Sequence, residues 1–276
     1  MNNFLKRTLS GLAFGAVMLA ALLTDRFVFG AVMLFALIVM MSEFLKMTCG
    51  NDYRFSQVLT ILAGAVLFAL TYLYKGFCLP GRFVALAFIP VFILMVNSLY
   101  VKDKTCFSKF SSIYAALVYI AVPWSLINFA AFNAAGEFNG SMLLCFFCII
   151  WGSDVGAYIF GMSLGQKYGK KLFPSISPKK SWIGFWGGLL TAVIVAVALH
   201  FAGVFTFGLV HCIAIAILLN VTGVYGDLIE SQWKRHYEVK DSGTIIPGHG
   251  GLLDRFDSAL MAIPVGIIYL VVMNVL

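Results

Sequence analysis

The sequence predicts an all-α integral membrane protein with about nine transmembrane helices. Of its 276 residues, 61% are hydrophobic and only 11% are charged, a composition that excludes an ordinary soluble globular domain. Apolar stretches long enough to cross a hydrocarbon core of about 30 Å recur along the whole chain. The longest polar stretches are residues 165–181 and 227–257, so we expect any chemistry there or at the ends of helices.

Nine spans follow from the apolar runs, which are separated by charged or turn-forming residues. The first run follows Lys6 and Arg7 as in a signal peptide, but no clear cleavage site follows it, so we expect an uncleaved span. The first five spans form a predicted N-terminal region, residues 1–140, and the last four lie in a predicted catalytic region, residues 141–276. The predicted spans are 9–24, 27–47, 56–74, 83–101, 110–133, 141–164, 183–203, 205–226 and 258–276.

The cations are distributed unevenly between alternate loops. With nine spans, one set of loops holds sixteen lysines and arginines, and the other set holds only Arg26, Lys75 and Arg82. The positive-inside rule then places the N-terminus and the basic loops in the cytoplasm and the C-terminus outside a cell (inner or plasma) membrane. The net charge of +7 is thus an orientation signal with contacts to membrane lipids, which is our interpretation of Lys102, Lys104 and Lys109, and we expect no nucleic-acid partner.

Two carboxylates lie within the apolar runs, where an ionised group is costly. Asp154 is surrounded by small residues, and it needs either a polar cavity or an interhelical hydrogen bond that fixes packing; we prefer the cavity. Glu43 lies near the end of the second span. It either faces the bundle interior near the site or pairs with Lys46 in a solvated last turn.

The segment 165–181 is rich in lysine and serine. Its last part, Ser-Pro-Lys-Lys-Ser, places cations and a hydroxyl where the seventh helix begins, an arrangement that suits phosphate. An ordinary positive-inside loop explains the earlier lysines well and these residues less well. The residues concerned are Ser177, Lys179, Lys180 and Ser181.

The segment 227–257 is the densest polar stretch. Two carboxylates, a hydroxyl and a lysine at positions i, i+3, i+4 and i+7 share one face if the eighth helix continues beyond the membrane. A Pro-Gly-His-Gly-Gly turn follows, in which glycine amides can approach a ligand closely. Carboxylates, cations and glycine amides together predict a cation-plus-phosphate site, and a purely structural salt-bridge loop is the alternative. The residues are Asp227, Glu230, Ser231 and Lys234, followed by Asp254 and Asp257.

At these residues the sequence resembles the CDP-diacylglycerol synthase (phosphatidate cytidylyltransferase) family, and the likeness covers roughly residues 140–276. The family signature is matched by Ser231, Lys234, Arg235, Lys240, Asp241, Pro247, His249, Gly250, Gly251, Asp254, Arg255 and Asp257, with a lead-in at Gly226, Asp227, Leu228 and Glu230. A second block is matched by Asp154, Gly156, Ala157, Tyr158, Ser177, Pro178, Lys179, Lys180 and Ser181. The pattern differs at Met162, Ile183 and Trp233, so no role is assigned to those side chains.

The resemblance implies that CTP and phosphatidate react to give CDP-diacylglycerol and pyrophosphate, with one or two Mg²⁺ ions and a possible homodimer. Two anions must meet, so Mg²⁺ held by carboxylates, with lysine and arginine nearby, would neutralise their charge. The metal ligands would be Asp227 and Asp254. Glu230 and Asp257 would hold these ligands in place without binding the metal. The other catalytic residues would be Asp154, Lys234 and Arg235. Substrate and phosphate contacts would come from Ser177, Lys179, Lys180, Ser181, Ser231, Lys240, Asp241, His249, Gly250, Gly251 and Arg255.

Two other classes of protein fit parts of the pattern. A transporter explains many spans and an intramembrane carboxylate, but not the concentration of polar residues in one loop. A CTP-using lipid kinase would transfer the γ-phosphate and release CDP. An enzyme that uses CTP on a lipid without glycerol is a further alternative.

Overall fold

The computed structural model describes residues 3–101 and 107–276, without the side chains of residues 3, 4, 6 and 108. In that part of the chain, eight helical segments are long and apolar enough to cross a membrane, and a shorter apolar helix, Arg7–Leu23, precedes them. The predicted helical membrane architecture is therefore confirmed. Lys102, Lys104 and the side chain of Lys6 lie outside the described residues, and Lys109 pairs with Asp52 (2.8 Å).

The chain forms two compact units, of which the first comprises Met1–Asn139 and Tyr237–Phe256. Its second helix is capped by Asp25, whose Oδ1 accepts hydrogen bonds from the amides of Phe27 (2.6 Å) and Val28 (3.1 Å). The fifth predicted span is broken by a π-helical turn, Leu117–Ala121. The helices are α1 (Asn3–Leu23), α2 (Arg26–Cys49), α3 (Arg54–Gly76), α4 (Phe88–Leu99, after a 3₁₀ turn at Gly81–Ala87), α5 (Phe110–Ala116), α6 (Val122–Ser125) and α7 (Ile127–Ala131).

Aromatic side chains attach the segment Tyr237–Phe256 to the core of this unit. The rings of Trp124 and Phe256 are 4.7 Å apart, and both side chains are fully buried. The indole N–H of Trp124 also donates a 2.9 Å hydrogen bond to the carbonyl oxygen of Met33. Burial of such rings provides much of the stability of a packed core, so the polar segment is an integral part of the N-terminal unit.

The second unit comprises Gly140–His236 and Asp257–Leu276. Glycines allow its helices to approach closely: a Cβ added at Gly156 would overlap Thr191 Oγ1, and one at Gly187 would overlap Phe160 Cβ. Its elements are α8 (Ser141–Phe160), a π-helical turn (Gly161–Gly165), α9 (Gln166–Tyr168), β1 (Lys171–Phe173), β2 (Ser177–Ser181), α10 (Trp182–Phe201), α11 (Leu209–His236) and most of α12 (Leu253–Val272).

Three features differ from the sequence prediction. The end of segment 165–181 forms an antiparallel β-hairpin, because Pro174 and Ser175 favour a turn between β1 and β2. Helix α12 begins at Leu253, five residues earlier than predicted. It can begin there because Glu43 on α2 accepts hydrogen bonds from the backbone amides of Leu252 and Leu253. Tyr237–Phe256 groups with the N-terminal helices, whereas the predicted division at residue 140 placed it in the C-terminal region.

Candidate active site

The second unit contains an ion pair between the hairpin and α11. Lys180 Nζ lies 2.6 Å from Asp227 Oδ2, and the two side chains are 26% and 32% exposed. Asp227 Oδ1 accepts a 3.1 Å hydrogen bond from the hydroxyl of Ser231, one turn along the helix. Both carboxylate oxygens therefore have a fixed partner, and the orientation of the Asp227 side chain is set by β2 and α11 together.

A second pair lies on α11, since Lys234 Nζ is 2.5 Å from Oε2 of the buried Glu230. The helix continues to His236, so the prediction that these residues share one helical face is confirmed. At the start of the portion of α12 in this unit, the carboxylate of Asp257 interacts electrostatically with Asp227, Asp154 and Lys234. Three carboxylates and two lysines thus form one cluster, which we call the α11 cluster: Asp154, Lys180, Asp227, Lys234 and Asp257.

The remaining predicted residues of the hairpin have mainly structural contacts. The hydroxyl of Ser181 accepts a 3.2 Å hydrogen bond from the amide of Gly184 and caps α10. The carbonyl oxygen of Lys179 accepts one from Gln166 Nε2 (2.8 Å), while its ammonium group is exposed. Arg235 Nε donates a 3.4 Å hydrogen bond to the carbonyl of Ile176, beside Ser177, and so attaches the hairpin to α11.

In the first unit, Asp254 organises the segment that precedes α12. Its Oδ2 accepts hydrogen bonds from the amide of Ser242 (2.9 Å), the hydroxyl of Ser242 (3.0 Å) and the amide of Gly251 (2.7 Å). Hydrogen bonds from backbone amides to a carboxylate are strong, so this side chain holds both ends of the segment together. Lys240 and Asp241 directly precede Ser242 in the sequence, and both are exposed.

Glu43 reaches the same segment from α2. Its Oε1 accepts a 3.0 Å hydrogen bond from the amide of Leu252, and its Oε2 accepts a 2.8 Å hydrogen bond from the amide of Leu253. The first amides of a helix have no partner within the helix, and a negative charge there also complements the helix dipole. Glu43 therefore caps α12, which answers the question that the sequence left open about its role.

The glycines of the turn make room for these carboxylates. Gly248 and Gly250 have φ angles of +79° and +87°, which side chains rarely adopt. A Cβ at Gly251 would overlap Ser242 Oγ and would lie 2.6 Å from Glu43 Oε2. The amide of Gly251 donates a hydrogen bond to Asp254, so in this structure the turn serves packing, and its approach to a ligand stays a prediction.

His249 is the polar side chain at the tip of the turn. Its Nδ1 lies 2.9 Å from the hydroxyl of Ser10 on α1, and its carbonyl oxygen accepts a 3.0 Å hydrogen bond from Arg255 Nη2. Burial lowers the pKa of the imidazole, the guanidinium groups of Arg255 and Arg7 lower it further, and a hydrogen bond with Pro247 opposes them. The neutral imidazole is therefore favoured near neutral pH.

The donor set fits a divalent cation that shares its coordination with a substrate. Within residues 3–101 and 107–276, no group of three or more His, Cys, Asp or Glu side chains is arranged to hold a metal by itself. Mg²⁺ usually takes one or two carboxylates together with water and substrate phosphates, so a complete protein cage is not required. Asp227, with Asp257 close by, offers such oxygens in the second unit, and Asp254 offers one in the first.

Sequence reasoning missed Arg7, Ser10 and Ser242, and it left Glu43 unassigned. Arg7 and Ser10 belong to an apolar first helix with no motif around them, and their contacts with the turn join residues about 240 positions apart. Ser242 directly follows the matched Lys-Asp pair, which was the only available signal.

The fold and the two polar regions define a class of protein: a multi-pass helical membrane protein whose carboxylates, lysines and glycine turn suit the chemistry of phosphate groups. The sequence profile of the cytidylyltransferase family matches residues 5–273. The chain belongs to this cytidylyltransferase family.

Several curated relatives are similar over most of the chain. A phosphatidate cytidylyltransferase of Staphylococcus haemolyticus is 36% identical over 227 residues, which are 76% of this chain and 86% of the relative. One of Bacillus subtilis is 37% identical over 179 residues, 65% of each chain. One of Staphylococcus aureus strain COL is 40% identical over 173 residues, which are 62% of this chain and 65% of the relative.

Proposed function

We propose that this protein transfers the cytidylyl group of CTP to phosphatidate, which gives CDP-diacylglycerol and pyrophosphate for phospholipid synthesis. The observation that carries this proposal is the extent of the family match, because residues 5–273 include both polar regions of the structure. The relatives named as phosphatidate cytidylyltransferases support the same reaction. The class of enzyme is thus a nucleotidyltransferase with a lipid acceptor.

The chemistry needs no protein nucleophile. A phosphate oxygen of phosphatidate attacks the α-phosphorus of CTP, a new P–O bond forms, and the bond from the α-phosphorus to the bridging oxygen breaks as pyrophosphate leaves. Because both reactants are anions, the site must supply positive charge in fixed positions. Lys180 and Lys234 would do so, since Asp227 holds the ammonium group of Lys180 and Glu230 holds that of Lys234.

We propose Mg²⁺ as the cofactor, with Asp227 and Asp254 as its protein ligands. Glu230 and Asp257 would not bind the ion themselves but would help to hold the residues around it in place. In this structure Glu230 holds the ammonium group of Lys234. When bound, the ion would neutralise phosphate charge and stabilise the leaving pyrophosphate. The hydrogen bonds to Asp254 Oδ2 would fix the orientation of that ligand before substrate binds.

Phosphate contacts are proposed for the remaining matched residues. Lys179 and Arg235 present cationic groups at the hairpin and at the end of α11, and both are exposed. Lys240, Asp241, His249 and Arg255 are placed along the segment that Glu43 and Asp254 hold. Ser177 and Ser231 would add hydroxyl contacts, and the glycines at 250 and 251 would keep the turn compact.

The distribution of cations supports an active site on the cytoplasmic side of the cell membrane, where soluble CTP is available. We propose that orientation together with a homodimer, the oligomeric state implied by the family resemblance. Accessibility of single cysteines introduced at exposed positions 167 and 82 would test the orientation. The cysteine at position 167 should react with a membrane-impermeant thiol reagent only in inverted vesicles. The cysteine at position 82 should react with it only in intact cells.

The reaction is tested with purified protein, phosphatidate, Mg²⁺ and CTP carrying label at the α- or the γ-phosphate. We expect α-label in the lipid and γ-label in pyrophosphate. Movement of γ-label into lipid would replace the proposal with a lipid kinase. No label in lipid, with substrate flux in liposomes, would favour a transporter instead.

A further inference from the structure

An apolar cavity of about 790 Å³ lies within the N-terminal unit. Helix α1 contributes Ala13, Phe14 and Val17 to its wall, α2 contributes Val32, and the segment before α12 contributes Ile245. Pockets for small molecules usually measure about 300–1,000 Å³, so this volume is sufficient for a ligand. The lining is almost entirely hydrocarbon, which suits an alkyl chain and excludes a nucleotide.

The length of the cavity wall along α1 suits a lipid chain. Its wall along α1 extends from Leu9 to Met18, which at 1.5 Å per residue is about 14 Å. One leaflet of a hydrocarbon core about 30 Å thick is about as deep. Leu9, Val17 and Phe35 line the cavity and are each at least half exposed, so the cavity is open at the surface of the protein.

Polar and cationic groups meet at one end of this cavity. Ser10 lines it, and the Ser10 hydroxyl lies 2.9 Å from His249 Nδ1. Arg255 donates a hydrogen bond to the carbonyl of His249, and Arg7 acts electrostatically on its imidazole. Two guanidinium groups therefore lie around one imidazole, next to an apolar cavity.

These guanidinium groups are available to an anion. In the described part of the chain, the ion pairs involve Lys109, Lys180 and Lys234, and neither Arg7 nor Arg255 has a carboxylate within 4.0 Å. Guanidinium groups bind phosphate through paired hydrogen bonds and are the preferred cations for it. An anionic phosphate group at this end would supply the missing countercharge.

We propose that the cavity binds an acyl chain of phosphatidate while Arg7 and Arg255 bind its phosphate. This inference rests on the proposed function, because it assigns the lipid substrate of that reaction. Charge complementarity selects the occupant: a phosphate monoester carries roughly 1.5 to 2 negative charges near pH 7, whereas a zwitterionic phospholipid carries no net charge. A second copy of the chain would fill the apolar wall but would bring no such anion.

The chain-binding part is tested by filling the cavity. Ala13 and Ala16 are both exposed on α1, but only Ala13 lines the cavity. Ala13→Trp should raise KM for long-chain phosphatidate about tenfold and leave turnover of dihexanoyl phosphatidate within about twofold, because only the long chain needs the cavity. Ala16→Trp should leave both substrates within about twofold. Equal effects of the two variants, or no effect of Ala13→Trp, would overturn the assignment.

The phosphate-binding part is tested with Arg7→Gln, which removes the charge and keeps a polar side chain. KM should rise several-fold for both long-chain and dihexanoyl phosphatidate, with KM for CTP unchanged. Arg54→Gln is the matched control, because Arg54 is an exposed arginine at the start of α3 whose guanidinium binds Asn51. A change in KM for CTP alone would place Arg7 at the nucleotide and refute the proposal.

A binding experiment separates this inference from the proposed reaction. A photoreactive benzoylphenylalanine at Val17 should crosslink to labelled phosphatidate, and unlabelled phosphatidate should compete better than phosphatidylcholine. Equal competition by phosphatidylcholine would show bulk lipid only, and a crosslinked dimer would show a second copy; either result would overturn the inference. Specific crosslinking without transfer of the α-label would leave the cavity assignment intact and refute the reaction.

Discussion

The carboxylate of Glu43 on α2 accepts a 2.8 Å hydrogen bond from the backbone amide of Leu253, the first residue of α12 and 210 positions further along the chain. The same carboxylate accepts a hydrogen bond from the amide of Leu252. One buried side chain therefore caps the helix that contains the candidate residues Asp254 and Asp257. The position of Asp254 therefore depends on a residue of the second helix, which contains no part of the recognisable signature.

Glu43→Gln should destabilise the protein, because a neutral amide is a weaker acceptor for two helix amides than a carboxylate. Hydrogen bonds to charged groups contribute about 1.5–3 kcal/mol each, so we expect a loss on the order of 2 kcal/mol. That corresponds to a thermal midpoint lower by about 4–8 °C. The control is Glu137→Gln, since Glu137 is exposed and accepts a hydrogen bond from Asn133. Equal midpoints for both variants in detergent would contradict the capping role.

Gly251→Ala should be among the more harmful single substitutions in the chain. The methyl group of the new alanine would overlap Ser242 Oγ and would lie 2.6 Å from Glu43 Oε2, so the turn must move or lose its contacts with these side chains. Overpacking of this kind costs about 1–3 kcal/mol, and turnover should fall with stability. Gly15→Ala is the comparison, because nothing lies within 4 Å of an added methyl there. Thermal midpoints and initial rates of the two variants, measured under the same conditions, test this prediction.

Asp227→Asn and Asp254→Asn should both abolish turnover but differ in stability. Asp254 Oδ2 accepts three hydrogen bonds within its unit, so Asp254→Asn should also lower the thermal midpoint by several degrees. Asp227 is partly exposed and pairs with Lys180, so Asp227→Asn should leave the midpoint nearly unchanged. Both proteins should still insert and purify, and normal turnover by either one would exclude that carboxylate as a metal ligand.

His249 should make the stability of the folded protein depend on pH below neutrality. Its pKa is lowered in the folded protein by burial and by two arginines, so the unfolded chain binds the proton first as the pH falls. Stability is therefore unaffected well above the usual histidine pKa of about 6.5 and decreases below it. His249→Gln should reduce the slope of thermal midpoint against pH, and His236→Gln, at the exposed end of α11, should keep it. The same slope in all three proteins would contradict this assignment.

The helical architecture could be predicted because apolar runs of membrane-spanning length are a strong signal. The face of α11 could also be predicted, since Asp227 pairs with Ser231 and Glu230 with Lys234, each at i+4 spacing within one helix. The start of α12 was predicted five residues too late, because its polar first turn does not look like a membrane span. That turn is helical because Glu43 caps it.

Other parts of the site depend on contacts between distant segments, and sequence spacing carries no information about them. The partners of Asp254 are 3 and 12 residues away, but the amides that bind Glu43 and the hydroxyl beside the His249 ring are more than 200 residues away. The β-hairpin was missed for a different reason: its two strands are close in sequence, but the serines and lysines of Ser177–Ser181 suggest a solvated loop. The assignment of metal and phosphate ligands stays a prediction.

The inclusion of Tyr237–Phe256 in the N-terminal unit has a consequence for biosynthesis. A ribosome makes the helices up to residue 139 first, and then all of Gly140–His236, before it reaches the residues that Glu43 and Trp124 require. Until then the Glu43 carboxylate lies in an incomplete helical bundle without the amides that it will bind. The early helices must therefore remain unfinished in the membrane while the rest of the protein is inserted, and the last acidic segment completes them.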